Sequence, residues 1–330
     1  MKETLQFLLE YKTLSRDQAR TALVDLAQGK ANPSQMAAFM TVYMMRTVTV
    51  EELEGFRDAM LELCISIDLD EYAPIDLCGT GGDGKDTFNV STIASFVVAG
   101  AGVAVAKHGN YGVSSAVGSS NILEHFGIKF SNEIDVLKKQ IETTGICLLH
   151  APLFHPAMRN VAPIRKELGL KTFFNMLGPL VNPCRPKKQM VGVFNLELAR
   201  LYAYVFQKSS LQYSIVHSLG GYDEISLTSA VKIISNQSEK IAYPSDLGFE
   251  KLESHEIVSG KTIEESAKIF TNILNNECTK AQKNVVLVNA AMAIQTALPH
   301  ILWQEAVDKA TVSLSSKKAL HAFKTLLNIK

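Results

Sequence analysis

Three stretches of this chain carry residue types able to do chemistry. They are the glycine run Gly79-Thr80-Gly81-Gly82-Asp83-Gly84, the polar run Lys107-His108-Gly109-Asn110-Tyr111-Gly112-Val113-Ser114-Ser115, and the paired acids Asp223-Glu224. Glycines accept positive φ and let backbone approach a ligand closely. The glycine run follows the apolar Ile75-Asp76-Leu77-Cys78 and leads into Asn89-Val90-Ser91-Thr92, which reads as the opening of a helix. The first N–H groups of a helix lack intrahelical partners and point outward, so this arrangement is a seat for phosphate. The expected ligand is a polyphosphate.

Two familiar phosphate loops fit poorly. Gly79, Gly81 and Gly84 match the dinucleotide spacing, but that motif needs an acidic residue about 20 positions on to hold a ribose hydroxyl. Here the next strand, predicted over Val103 to Ala106, ends in Lys107-His108. Gly79 to Lys85 nearly matches a nucleotide-triphosphate loop, but Asp86 stands where Ser or Thr should meet magnesium. Its carboxylate would repel the phosphates. A third arrangement remains, in which Lys107, Asn110, Ser114, Ser115 and Ser119 bring a cation, amides and hydroxyls beside the glycine run. Both loops would then face one pocket at the carboxyl end of a parallel sheet. The adjacent acids Asp223 and Glu224 either hold a cation or are merely solvated.

The elements that must position these groups follow from patterning. Residues 1–65 read as a small helical domain. Ser15 with Gln18 and Thr49 with Glu52 fit capping boxes, and Asn32-Pro33 opens the helix between them. That helix, over Met36 to Met45, is apolar almost all round, so either the larger domain or a partner subunit must cover it. From Ile75 onward short apolar runs alternate with helical ones, the pattern of a mainly parallel sheet flanked by helices. Strands are predicted at Ile75 to Cys78, Val103 to Ala106, Ile146 to Leu149, Gln189 to Phe194 and Ser214 to His217. An antiparallel hairpin is expected over Val231 to Ile234 and Ile241 to Tyr243. The fold class is therefore α/β with an N-terminal helical domain. Residues 70–150 and 186–330 form the larger domain.

Composition narrows the partners. At 330 residues and 47% hydrophobic, the chain can bury a full α/β core plus a smaller domain. Its 33 basic and 33 acidic residues cancel, which argues against nucleic acid or an anionic membrane and for small molecules. The five cysteines, Cys64, Cys78, Cys147, Cys184 and Cys278, are scattered and read as reduced thiols. Residues 1–20 carry charges throughout, and no apolar run reaches membrane length, so a cytoplasmic protein is expected.

On these motifs the chain resembles the anthranilate phosphoribosyltransferase family, within a superfamily that includes the pyrimidine nucleoside phosphorylases. The glycine run with Asn89-Val90-Ser91-Thr92 and the Lys107-His108-Gly109-Asn110 run are similar to that family's phosphoribosyl-diphosphate site. Asp223-Glu224-Ile225-Ser226-Leu227-Thr228 is similar to its metal turn. His155-Pro156-Ala157-Met158, Pro163 to Gly169 and Phe174 to Pro183 resemble its acceptor side.

The resemblance implies transfer of the 5-phosphoribosyl group from phosphoribosyl diphosphate to the amine of anthranilate, the second step of tryptophan biosynthesis from chorismate. It further implies Mg2+ as cofactor and a homodimer formed through the helical domain, which the segment 155–185 would rejoin. Gly79, Gly82, Asp83, Thr87, Asn89, Val90, Ser91, Thr92, Lys107, Ser114, Ser115 and Ser119 would hold the sugar donor. Ser91, Asp223 and Glu224 would hold the metal; Ser91 would otherwise serve as an N-cap. Gly79, Asn110 and Arg165 would bind anthranilate, Arg165 gripping its carboxylate and Asn110 its amine. Pro179 with Gly178 would shape an apolar wall, and His108 would flank the ring, as base or as packing.

The chain departs from the family pattern at two places. Tyr111 stands where many members carry Arg, and Ser120-Asn121 where an Ala-Asp pair often follows Gly118-Ser119. The cations available to compensate are Arg159, Lys166 and Lys85. Two other functions bear on the same motifs. A nucleoside phosphorylase would share both loops but would have no use for Asp223-Glu224 or Arg165. A non-catalytic nucleic-acid-binding relative should be basic with a damaged acid pair.

Overall fold

The computed structural model describes residues 1–112 and 117–329; Ser114 and Ser115 lie outside the described residues. In chain order the α-helices and strands are α1 (Lys2–Leu9), α2 (Arg16–Ala27), α3 (Pro33–Met45), α4 (Val50–Glu62), β1 (Ile75–Gly79), α5 (Val90–Gly100), β2 (Val105–Gly109), α6 (Ser119–His125), α7 (Ile134–Thr144), β3 (Ile146–His150), α8 (Ala151–Phe154), α9 (Ala162–Leu168), β4 (Lys188–Gly192), α10 (Leu196–Gln207), β5 (Gln212–Ser218), β6 (Val231–Ser235), β7 (Glu239–Ala242), α11 (Ile263–Leu274), α12 (Lys280–Ala297), α13 (Trp303–Ser315) and α14 (Lys318–Leu327).

One compact unit comprises Met1–Ile67 and Ala151–Arg185. Its helices start where the sequence says they should: Ser15, Asn32 and Thr49 each close a capping box with Gln18, Gln35 and Glu52. Glu52 does more than cap. Its carboxylate, fully buried, accepts from the Leu14 N–H at 2.9 Å, the Tyr43 hydroxyl at 3.0 Å and both ends of the Arg46 guanidinium at 2.9 and 2.5 Å. One side chain thereby ties α3, α4 and the turn before α2. Phe173, from the returning segment, stacks on Phe56 with ring centroids 4.5 Å apart and meets Phe39 and Tyr43 edge-on. In α3 one side is covered within the chain and the other is not. Met36, Phe39, Met40 and Tyr43 are buried, whereas Ala38 is exposed and Met45 is 83% exposed.

The other unit, Asp68–His150 with Pro186 onward, holds a seven-stranded sheet in the order β3-β2-β1-β4-β5-β6-β7. The first five strands run parallel, and β6 and β7 add the antiparallel hairpin. Both faces are covered, as parallel sheets require. The apolar stretches of α5 and α12 bury Ile93, Phe96, Val97, Val288, Ala291 and Met292 in one continuous core. The single tryptophan, Trp303 at the start of α13, is anchored by an indole N–H donating to the Leu247 carbonyl at 3.0 Å. No helix among the described residues is long and apolar enough to cross a membrane.

One strand departs from expectation in a way that matters. β2 begins at Val105 and runs through Gly109, so Lys107 and His108 belong to the strand, paired in register with Leu148 and Leu149 of β3. Polarity suggested a loop there, but the parallel ladder continues under both side chains. The chain runs β1, β2, β3 toward one edge and then β4, β5 toward the other. The direction of winding therefore reverses between β1 and β4, the place where open parallel sheets bind ligands.

Replacing Glu52 with Gln is expected to destabilise the protein by about 3–5 kcal/mol, because Arg46 loses its buried counter-charge. Burial opposes ionisation of Glu52, but hydrogen bonds from Arg46, Thr49 and Leu14 outweigh it and hold the carboxyl below its ordinary range. That contribution is present above the unfolded carboxyl value and disappears as pH falls through the folded one. Urea titration across acid pH checks both statements: the variant should be weaker at neutral pH and less sensitive to acid.

Candidate active site

The reversal point is built around one aspartate. Gly79 and Gly192 are register partners at the ends of β1 and β4. A Cβ on Gly79 would lie 2.3 Å from Asp223 Oδ2, and one on Gly192 would lie 1.5 Å from the Asp223 carbonyl oxygen. Both glycines are bare because the acid turn occupies their side-chain space. The missing side chain at Gly79 is what seats Asp223.

Asp223 Oδ2 in turn accepts from the Gly81 N–H at 2.7 Å, which ties the acid turn to the glycine loop, while the Thr80 N–H donates to the Gly192 carbonyl at 2.9 Å and ties the loop to β4. Positive φ at Gly81, Gly82 and Gly84, of 64°, 81° and 70°, shapes the loop itself. From below, Asn289 in α12 accepts from the Ile225 N–H at 3.0 Å and donates to the Ile225 carbonyl at 2.9 Å. Ser218 donates to the Glu224 carbonyl at 2.6 Å and accepts from the Ser226 N–H at 3.0 Å. Neither Asn289 nor Ser218 was picked out as a functional residue by pattern. An Asn inside the apolar run Val285 to Ile294 was the available signal, since a buried amide demands partners.

The electrostatics of this turn are unfavourable by themselves. Asp223 and Glu224 are half-buried as residues, yet their carboxylates are enclosed by protein, with Asp83 close by. Burial, then the charge of Asp83, pushes Asp223 up to about 7, against an ordinary value of 3.8. Glu224 is raised well above its usual range, by burial and then by Asp223. Glu224 Oε1 and Asp83 Oδ2 are buried without a hydrogen-bond partner among the described residues. Oxygen-only donors carrying excess negative charge suit a hard divalent cation. Among the described residues no group of three or more His, Cys, Asp and Glu side chains forms a complete metal cage. Mg2+ needs none, because it usually keeps several waters and takes one or two carboxylates together with phosphate oxygens. The residues present therefore fit that ion.

Around the start of α5, Asn89 is the N-cap residue without a side-chain cap bond, and its amide donates instead to the Val117 carbonyl at 3.0 Å. Ser91 lies one position inside the helix, so it is not the cap. Its hydroxyl oxygen is 3.4 Å from Lys107 Nζ, which also donates to the Leu77 carbonyl at 2.7 Å. Lys107 is buried below the loop. Burial lowers its pKa, and Asp76 and then Cys78 partly restore it. Thr92 is buried in the core at 1% exposure. Thr87 eases the charge on Glu224, and the loop is fastened outside by the Thr87–Val258 bridge.

The second loop is organised by its own residues. Asn110 is exposed; its carbonyl accepts from the Ser119 hydroxyl and the Ser120 N–H, both at 3.1 Å. Asn121 Oδ1 accepts from the Gly112 N–H at 2.9 Å and the Gly118 N–H at 3.0 Å, drawing both ends of the loop to one atom. Tyr111 donates to Glu124 at 2.7 Å and sets its ring against His150, whose Nδ1 is 2.8 Å from the Ser120 hydroxyl. The departures at 111, 120 and 121 thus form one local network. His108 is buried within β2, its N–H donating to Asp76 at 3.2 Å.

In the helical unit, Arg165 lies on α9 with its guanidinium 5.1 Å over the Phe174 ring and one long hydrogen bond, 3.5 Å, to Asn175. Burial lowers its pKa, and it has no carboxylate partner among the described residues. A desolvated guanidinium over an aromatic face, short of donors' partners, suits a planar carboxylate. His155 is buried and bonded to the Val181 carbonyl at 3.0 Å, a structural placement whose desolvation pulls it down to about 4.

Comparison with known proteins places this arrangement. The profiles described as "Glycosyl transferase family, helical bundle domain" and "Glycosyl transferase family, a/b domain" match residues 2–64 and 71–320. The anthranilate phosphoribosyltransferase of Flavobacterium johnsoniae is 59% identical over 326 residues, covering 99% of this chain and 98% of that one. The chain belongs to the anthranilate phosphoribosyltransferase family. The Christiangramia forsetii enzyme of that name is also 59% identical, over 329 residues, 99% of this chain and 98% of its own. Among solved structures, anthranilate phosphoribosyltransferase from Thermus thermophilus superposes with a TM-score of 0.91 at 29% identity, over 98% of both chains. The Saccharomyces cerevisiae anthranilate phosphoribosyltransferase, solved in complex with PRPP and Mg, gives 0.88 at 27%, over 96% of this chain and 93% of its own.

The raised carboxyls make a signed prediction. The folded, metal-free protein holds a proton on Asp223 to higher pH than the unfolded chain does, so its stability should fall as pH rises from the ordinary value of 3.8 toward about 7. Asp223→Asn should remove part of that slope and melt higher than the parent at about pH 8. Mg2+ should raise the melting temperature of the parent more than that of the variant. Differential scanning fluorimetry with and without metal reads all three.

Proposed function

We propose that this protein transfers the 5-phosphoribosyl group from phosphoribosyl diphosphate to the amine of anthranilate, releasing diphosphate, as the second step of tryptophan biosynthesis from chorismate. The observation that carries the reading is the uncompensated acid turn Asp223-Glu224 locked against the glycine loop in a chain of this family. A cation-dependent diphosphate site is what such a turn is good for.

Gly79, Gly82, Asp83, Thr87, Asn89, Val90, Ser91 and Thr92, with Lys107, Ser114, Ser115 and Ser119, hold the sugar donor through amides, hydroxyls and one ammonium. Asp223, Glu224 and Ser91 hold Mg2+, which when bound neutralises the departing diphosphate. Arg165 takes the acceptor's carboxylate bidentately, and Asn110, whose amide is exposed, orients the amine. An aromatic amine is already neutral, so its lone pair needs no strong base. Rate then comes from alignment at C1 and from stabilising charge as the ribose becomes cation-like. The buried His108 serves as packing beside the ring rather than as base.

The helical and α/β units are the two domains of the enzyme, with 155–185 belonging to the helical one. We place the protein in the cytoplasm as a homodimer through the helical domain; the exposed Met45 and Ala38 of α3 support that surface. Balanced charge supports small-molecule partners over nucleic acid or membrane. The retained acid pair and Arg165 weigh against a nucleoside phosphorylase.

Loss of anthranilate fluorescence on addition of phosphoribosyl diphosphate should occur only with Mg2+ present; metal-independent turnover would falsify the reading. Arg165→Ala should raise KM for anthranilate by roughly ten- to a hundredfold, the worth of a hydrogen-bonded charge, while KM for the sugar donor moves far less.

A further inference from the structure

The phosphate-facing loops contain two lysines, and they are placed very differently. Lys107 is buried, committed to the Leu77 carbonyl and close to Ser91. Lys85 is exposed at the rim, immediately after the glycine run. Its ammonium lies 5.1 Å from the centroid of the Tyr222 ring, the residue preceding the acid turn. Its stem crosses Gly221, where φ is 93° and an added Cβ would stand 3.1 Å from Lys85 Cε. Its own N–H donates to Asp83 Oδ1 at 3.1 Å, which fixes the loop at its root. Among the described residues it has no carboxylate partner. The ring beneath and the bare glycine instead hold this ammonium at the edge of the site with its three donors available.

The second loop cannot supply the same charge. Tyr111 commits its hydroxyl to Glu124, and Asn121 is neutral. A diphosphate seated on the glycine loop next to three carboxylates needs positive charge in addition to the divalent ion. We propose that Lys85 supplies it, as a binding residue selective for the diphosphate half of the sugar donor, positioned by Tyr222 and by the absence of a side chain at Gly221. Arg159 and Lys166, the other cations considered from sequence, belong to the helical unit.

The inference deepens the proposed reaction and rests on it for the identity of the donor, but its test does not. Calorimetric titration of the full chain with inorganic diphosphate in the presence of Mg2+ should show binding weakened roughly ten- to a hundredfold by Lys85→Met, which keeps the stem over Tyr222 and removes the charge. Lys85→Arg should recover most of it. Ribose 5-phosphate should bind both variants like the parent. In turnover, Lys85→Met should raise KM for the sugar donor and leave KM for anthranilate in place. Unchanged diphosphate binding in Lys85→Met, or equal loss for diphosphate and ribose 5-phosphate, would overturn the assignment. A parent chain that binds diphosphate through Lys85 but does not consume anthranilate sinks the proposed reaction and leaves this assignment standing. A parent that binds no diphosphate sinks both.

Discussion

The site depends on one steric exchange: Asp223 occupies the volume that two side chains would otherwise fill. Gly79 and Gly192 face each other across β1 and β4, and the acid turn from beyond β5 drops onto both. Everything that follows is a consequence of that seating. The glycine loop receives its anchor when the Gly81 N–H meets Asp223 Oδ2. The carboxylates of Asp223 and Glu224 are forced into one low-dielectric space close to Asp83, where burial first and then neighbouring charge raise them both. Such crowding costs stability in the free protein and is relieved when a divalent ion and phosphate oxygens arrive, so the strain and the affinity are the same quantity seen from two states.

The supports beneath the turn explain why it does not relax away. Asn289 satisfies both the N–H and the carbonyl of Ile225, and Ser218 bonds the Glu224 carbonyl and the Ser226 N–H on either side of it. Leu227, held at a φ of 61°, continues the turn in a conformation that an L-residue adopts only under constraint. Rigid helices and strands supply these anchors, which is how a loop can keep like charges together.

Much of this was legible in the sequence. The capping boxes, the alternating apolar segments, the antiparallel hairpin and the glycine loop before α5 each have local signatures, and the structure bears them out. What failed was anything that depends on distant pairing. Lys107 and His108 looked like loop because they are polar, but β3 carries the ladder past them and buries both. The N-terminus of α5 begins at Val90, so Ser91 is not its cap. Gly192 gave only the weak hint that a strand glycine marks close approach. Its partner, Asp223, is 31 positions away by the numbering and invisible to any window. The chemistry of the acids was readable as types; their raised protonation was not, because it arises from neighbours that only folding assembles.

Trp303 gives the architecture an optical handle. It is the single indole in the chain, and it hangs from the Leu247 carbonyl at the start of α13, within the unit that carries the sheet. The helical unit contains only tyrosines and phenylalanines. Emission excited at the red edge of protein absorbance therefore reports melting of one unit alone, while far-ultraviolet dichroism, dominated by helix, records both. Divergence of the two curves would measure how independently the halves of this chain come apart.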